Sequence, residues 1–254
     1  RLQDGIFAEE YVSGERANLV DRIRGQINDK RSYATLRLGQ LMCGEEAFGV
    51  DKLGDVEHAA AVTPGSLWER YQQLLSTAQI ELYYCGSAEE ERVARALKEA
   101  LSALPVNEGR ICPDCEVRLH AGPEPSMVEE SMDVTQGKLA MGFRTGGVTC
   151  WEEEYPAMAM CNAVFGGTTL SKLFMNVREK QSLCYYCAAR HDTPKNVMLV
   201  QSGVETKDLD RTEEAILKEL NDMKKGNITD DEILFAKLAM CNSYNAVADS
   251  AASM

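Results

Sequence analysis

A chain of 254 residues, 44% of them apolar, has the material for a core in one large domain or two modest ones. Forty acidic against twenty-seven basic residues leave a net charge of −13, which repels phosphate backbones and anionic lipid and speaks against nucleic acid and membrane surfaces as partners. No apolar stretch approaches the roughly 20 residues of a membrane helix and no basic-then-apolar leader opens the chain, so a soluble globular protein is expected. The chain begins at Arg1 without a methionine and stops at Met254 inside a helical pattern, so further residues are expected beyond its ends. Nine cysteines at irregular spacing, several inside apolar patterns (Cys43, Cys85, Cys161, Cys241), read as reduced packing thiols and point to the cytoplasm.

In chain order, residues 14–46 read as helix in two pieces, with apolar positions at Leu19, Ile23 and Ile27, then Leu38, Leu41 and Met42. The basic pair Lys30 and Arg31 reads as a solvated face of it. Thr63-Pro64 starts the next helix, on which Leu67, Tyr71, Leu74 and Leu75 form an apolar stripe. Ile80 to Cys85 reads as a short strand, and Ser87 with Glu90 as a capping box for a helix to about Ala103. Residues 105–130, proline-rich and without periodicity, read as an inter-lobe linker. Beyond it come a strand from Lys138 to Arg144, a buried helix from Tyr155 to Phe165, a turn at Gly166-Gly167 and a helix from Ser171 to Lys180. Strands from Leu183 to His191 and Asn196 to Glu205 suit a hairpin around Asp192, Thr193 and Pro194. A helix from Asp208 to Lys225 stops at Gly226, and Thr229 with Glu232 caps the last helix. Strands and helices do not alternate one for one, so the expected class is α+β, a mixed or antiparallel sheet packed by helices.

The segment FGGTTLSKLFMNVREKQSLCYY, residues 165–186, resembles the stretch of the pitrilysin/insulinase and mitochondrial-processing-peptidase family in which a Gly-Gly turn, a helix, Arg-Glu-Lys and a Leu-x-Tyr strand follow in this order. MDVTQGKLAMGFRTG at 132–146 is similar to the bacterial paired homologues in which one partner lacks the metal motif. The resemblance implies that residues 1–105 form the last part of the family's first lobe and residues 106–254 most of its second, truncated at its C-terminal end. It also implies zinc-peptidase chemistry resting on His-x-x-Glu-His, with paired histidine ligands and a glutamate base. This chain has only His58, His120 and His191, none within a helical turn of another, and aligning ANLVDRIRGQIND (17–29) puts Arg22 where the family has its third ligand, a glutamate. A guanidinium does not ligate zinc. Arg178 and Tyr185 match the arginine and tyrosine with which the family holds substrate. From the residues alone, Arg178 pairing with a nearby carboxylate such as Glu179 or Glu205 while Tyr185 packs is the favoured reading, and the resemblance brings substrate holding level with it.

Two Cys-x-x-Cys pairs complete the inventory. Cys184 and Cys187 lie on a predicted strand, where residues three apart face opposite ways, so they cannot meet unless the strand bulges. Cys112 and Cys115 lie in a predicted turn, where free thiols, a metal pair or a redox pair are all open. Glu152 to Glu154 read as a solvated loop. The leading expectation is a zinc-less subunit or fragment, inactive alone and without a cofactor, that binds peptide and joins a zinc-bearing homologue. The alternatives are a piece of an active zinc endopeptidase whose motif lies upstream of residue 1, and a thiol module built on Cys112 and Cys115.

Overall fold

The computed structural model describes residues 2–104 and 118–249. In chain order the elements are β1 (Leu2–Gln3), β2 (Ile6–Phe7), α1 (Glu9–Gly25), α2 (Lys30–Met42), α3 (Val56–Ala61), α4 (Pro64–Thr77), α5 (Glu90–Leu101), β3 (Gly137–Arg144), α6 (Tyr155–Asn162), β4 (Cys184–Asp192), β5 (Val197–Val204), α7 (Leu209–Lys224) and α8 (Asp230–Asn245). The turn Ala163–Gly167 and the segment Leu173–Lys180 are π-helical. Two compact units result, one from residues 2–25 and 52–104, the other from residues 26–51 and 118–249. The class is the expected α+β, with antiparallel sheets only.

In the first unit α1 packs on α3, and α4 packs on the β1–β2 ladder. Phe7 meets Trp68 and Tyr71 edge-on, at centroid distances of 5.3 and 5.5 Å. The expected start of α4 is present: Ser66 N donates to Thr63 Oγ1 and Thr63 N donates back to Ser66 Oγ. Two expectations fail here. Residues 80–85 form no strand, because a run of strand-favouring residues becomes one only where a partner supplies the ladder; Leu82 and Tyr83 stay exposed. Ser87 does not cap α5, whose N-cap position is Glu89; the neighbouring Ala88 N donates to Tyr84 Oη instead.

The second unit is a three-stranded antiparallel sheet in the order β3-β5-β4 between two layers of helix. Its β4–β5 hairpin turns where expected. Lys195 N donates to Asp192 Oδ1, Asn196 N donates to Thr193 O, and Asn196 takes the left-handed φ of +58° that asparagine tolerates. Central β5 is buried along nearly its whole length, since both faces are covered. On one face Met198 and Val200 join Phe165, Leu173, Val177 and Ile216 in the core. Each such side chain contributes about 2 kcal/mol of apolar transfer. Across the other face lies α2. Arg31 there is solvent-exposed, as expected, and also makes contacts: its guanidinium stacks 4.3 Å above the Tyr186 ring, and its Nε donates to Gln201 Oε1 at 3.0 Å.

The expected turn at Gly166-Gly167 is instead a continuation of α6 through its π-helical end. Glycine is required at 166 for closeness rather than for turning. A Cβ there would lie 2.5 Å from Ala189 N and 2.8 Å from Leu173 Cδ1, so the helix end rests directly on β4. The family-like Gly-Gly is thus a packing device.

A buried ion cluster clamps α2 to the sheet. Glu46, just past α2, pairs through Oε1 with Arg144 Nη2 at the end of β3 (2.5 Å) and through Oε2 with Lys195 Nζ in the hairpin turn. The three side chains are 1%, 5% and 2% exposed. Arg144 Nη2 also donates to Met42 O at 2.9 Å. Burial alone would raise the Glu46 carboxyl; hydrogen bonds from Arg144 and Lys195, with their charges, outweigh it and bring the pKa from 4.5 to about 2.

Because the folded pKa lies below the unfolded one, this stabilisation is whole above pH 4.5 and is lost as pH falls toward 2. Glu46→Gln is expected to cost about 3 kcal/mol at neutral pH, since it strands two buried cations. Its thermal melts should also fall less steeply than the parent's over that acid range; parallel slopes would show that Glu46 is not ionised in the fold. A second pair of variants tests the glycine. Gly166→Ala should destabilise by about 2 kcal/mol. Gly14→Ala, in α1 with nothing within 4 Å of its Cβ, should stabilise by about 0.5–1 kcal/mol, both read from denaturant midpoints.

Candidate peptide-binding site

The site is built at the start of β4. The π-helical segment carrying Arg178 ends at Lys180, and the chain reverses through Ser182 at a φ of +52°. Buried Leu183, whose N donates to Val177 O at 3.3 Å, then anchors the entry to the strand. Cys184 pairs with Val204 and Tyr186 with Gly203, so Tyr185 is the extra residue of a β-bulge. The bulge has a cause in packing: the Tyr186 ring lies over Gly203, where any Cβ would collide with it.

Tyr185 is 51% exposed, and its hydroxyl donates to Glu205 Oε1 at 3.3 Å. Glu205 also meets Lys207 Nζ at 2.7 Å; Lys207 chiefly, with help from Tyr185, holds its carboxyl below the usual range. Arg178 lies with its guanidinium 4.5 Å above the Phe174 ring and its Nη1 3.2 Å from Glu179 Oε1, a third of the side chain open to solvent. Arg178 therefore takes the carboxylate partner that its sequence neighbourhood offered. Tyr185 does not pack: the bulge turns it outward at the same end of the strand. Together they present a planar fork of donors and a hydroxyl, groups suited to a peptide carbonyl or carboxylate.

The same bulge brings the two cysteines of β4 to one face. Cys184 stands opposite Val204 and Cys187 opposite Ser202, two residues apart on β5 and so on one side of it. A hydrogen bond from the Cys187 thiol, aided by the Ser202 hydroxyl and the charge of Arg178 and opposed by burial, brings Cys184 down to about 7. The Cys187 thiol is pushed up by that partner and by burial. The expectation that these cysteines face opposite ways is thereby corrected, through the exception it named. Cys112 and Cys115 lie outside the described residues.

Among the described residues the donors do not assemble a zinc site. His58, exposed on α3, has its Nδ1 2.6 Å from Asp55 Oδ2, and His191 on β4 has its Nε2 3.2 Å from Thr145 Oγ1. Burial lowers the pKa of His191. Arg22 is exposed in the last turn of α1. Among the described residues no group of three or more His, Cys, Asp and Glu side chains converges as a metal site would require. Glu152 to Glu154 are exposed in a turn, as a solvated loop would be. The residue order gave no sign of Phe174 beneath Arg178 or of Glu205 as the acceptor for Tyr185, and it raised the bulge only as an exception. Only the lone Gly203 opposite an aromatic residue could have signalled the last.

Comparison with known proteins places this geometry. A "Probable inactive metalloprotease" of Bacillus subtilis, YmfF, is 32% identical over 98% of this chain, which spans 58% of that protein. A conserved protein of Enterococcus faecalis has the same fold with a TM-score of 0.85 at 29% identity, over 99% of this chain and 59% of that one. The peptidase M16 inactive domain of Pseudomonas fluorescens shares the fold with a TM-score of 0.77 at 18% identity, over 94% of this chain and 57% of that one. The chain thus spans somewhat under three fifths of these relatives. With residues 61–240 matching the model of the peptidase M16 inactive domain, the chain belongs to the M16 peptidase family, the pitrilysin/insulinase type to which residues 165–186 pointed.

Proposed function

We propose that this chain is the greater part of a zinc-less M16 subunit that binds a peptide through Arg178 and Tyr185 and pairs with a zinc-bearing homologue, which carries out hydrolysis. The observation that carries the reading is the bulge at Tyr185: it costs one ladder position and turns a half-exposed hydroxyl outward at the strand end where Arg178 lies. Family membership supports the pairing. The chemistry of the donors supports the division of labour, since Arg22 stands at the aligned ligand position and the histidines sit on separate elements. In this reading residues 1–105 derive from the end of one family lobe and residues 106–254 from a second. The peptide is held from one side only: Arg178 and Tyr185 bind its carbonyl or the charge that develops there, while the partner supplies the metal and the water. No helix among the described residues is long and apolar enough to cross a membrane. Of the four cysteines expected to pack, Cys43 is buried whereas Cys85, Cys161 and Cys241 are exposed; the irregular spacing of the nine cysteines still supports a reducing compartment, the cytoplasm in this reading.

Two measurements on the intact protein test this. Co-purified with its homologue, the pair is expected to carry one zinc, and this subunit isolated from the pair none; a tightly bound zinc on the isolated subunit would overturn the reading in favour of a zinc endopeptidase. In the active pair, Arg178→Ala and Tyr185→Phe should each slow peptide turnover on the order of a hundredfold, about 3 kcal/mol, with melting temperatures near the parent's. A drop in stability with turnover intact would show that the Glu179 and Glu205 contacts are the whole role of these side chains.

A further inference from the structure

The β4 bulge does more than present Tyr185. On an unbroken strand, Cys184 and Cys187 would stand about 10 Å apart on opposite faces. Here the three-residue step between them is set against the two-residue step from Val204 to Ser202 on β5. That step is about 6.7 Å, inside the Cα separation a disulfide can bridge. Both side chains belong to the helix-covered face, where Cys187 is a core residue and Cys184 packs against it half-buried. The two thiols interact closely enough for each to shift the other's proton affinity. Cys187 also lines a cleft of about 550 Å³ with Gly166, Gly167 and Phe174, and Cys184 is itself partly open.

We propose that Cys184 and Cys187 are a modification site for hydroperoxides, Cys184 acting as the attacking sulfur and Cys187 as the resolving one. The Cys184 thiolate attacks one oxygen of hydrogen peroxide; the O–O bond breaks and the departing hydroxide takes a proton to leave as water, giving Cys184 sulfenic acid. The Cys187 sulfur then attacks the Cys184 sulfur, its proton leaving with the hydroxyl as a second water. Two thiols are oxidised by two electrons in all, and the peroxide is reduced to two waters. The division of roles follows from position: Cys184 is the more open of the two and feels the charge of Arg178, whereas Cys187 is 3% exposed and holds its proton. The product would brace the bulge from beneath, next to Tyr185. That consequence rests on the peptide-binding reading, whereas the chemistry itself does not.

Cleavage after Lys180 and Arg190 releases one peptide, residues 181–190, carrying both cysteines, so mass analysis of tryptic digests reads the site directly. After brief exposure of the full-length protein to stoichiometric hydrogen peroxide at pH 7, alkylation under denaturing conditions should leave this peptide unalkylated and two hydrogens lighter. It should be oxidised about tenfold faster than a small thiol of ordinary pKa, about 8.5, added as standard. Cys187→Ser should instead accumulate sulfenic acid at Cys184, trapped by dimedone, and Cys184→Ser should leave Cys187 reduced. Melting curves confirm that each variant is folded. A doubly alkylated 181–190 peptide from parent protein already oxidised at Cys85 or Cys241 would overturn the proposal, whatever the variants do. Oxidation of Cys187 in folded Cys184→Ser at the parent rate would overturn the assignment of roles. Neither readout depends on peptide turnover, so failure here and failure of the proposed function are separate results.

Discussion

The carboxylate of Glu46, closed in with the charges of Arg144 and Lys195, is the interaction on which the second unit is organised. A buried ion is tolerated only when its partners are placed to compensate for lost water, and here each partner comes from a different stretch of chain. Arg144 ends β3, Lys195 sits in the turn between β4 and β5, and Glu46 follows α2. Satisfying one carboxylate therefore fixes where α2 ends relative to a strand end and a hairpin turn. With α2 held there, Arg31 reaches Tyr186 and Gln201, and the sheet has a covered second face. Burial of β5 from both sides follows, and with it an apolar run that does not alternate.

From that arrangement the geometry of β4 descends. Tyr186 must lie flat over Gly203 to accept the Arg31 guanidinium, and on the far side of the strand the helix end at Gly166 touches Ala189. A strand packed this tightly on both faces has one outlet for a surplus residue, a bulge near its beginning. The bulge puts Tyr185 outside and Cys184 inside, and it lets two cysteines at an unfavourable spacing share a face. Candidate recognition and candidate thiol chemistry are thus two consequences of one packing constraint.

Family membership is compatible with the absence of a metal-binding group among the described residues. The fold is held by its core, its ion clamp and its close glycine contact, none of which involves a metal ligand. The packing of the described residues therefore rests on apolar burial and ion pairing.

Local chemistry made much of this legible before any tertiary structure. The α4 start at Thr63-Pro64, the stop at Gly226, the Thr229–Glu232 box and the hairpin around Asp192–Pro194 each depend on residues within a few positions of one another. The segment 165–186 likewise carried the family and the two candidate contact residues in its own order of residues. What failed was whatever depends on a distant partner. Residues 80–85 read as a strand yet pair with none, and Gly166 reads as a turn but is a contact. Cys184 and Cys187 read as opposed but are neighbours. The residues of the chain determined its helices, turns and kinship, because caps and φ preferences act over short range. Only the tertiary structure decided the register of β4, the surroundings of Glu46 and the face each cysteine takes, because those are settled by side chains up to about 170 positions away in the chain, as Arg31 and Gln201 are.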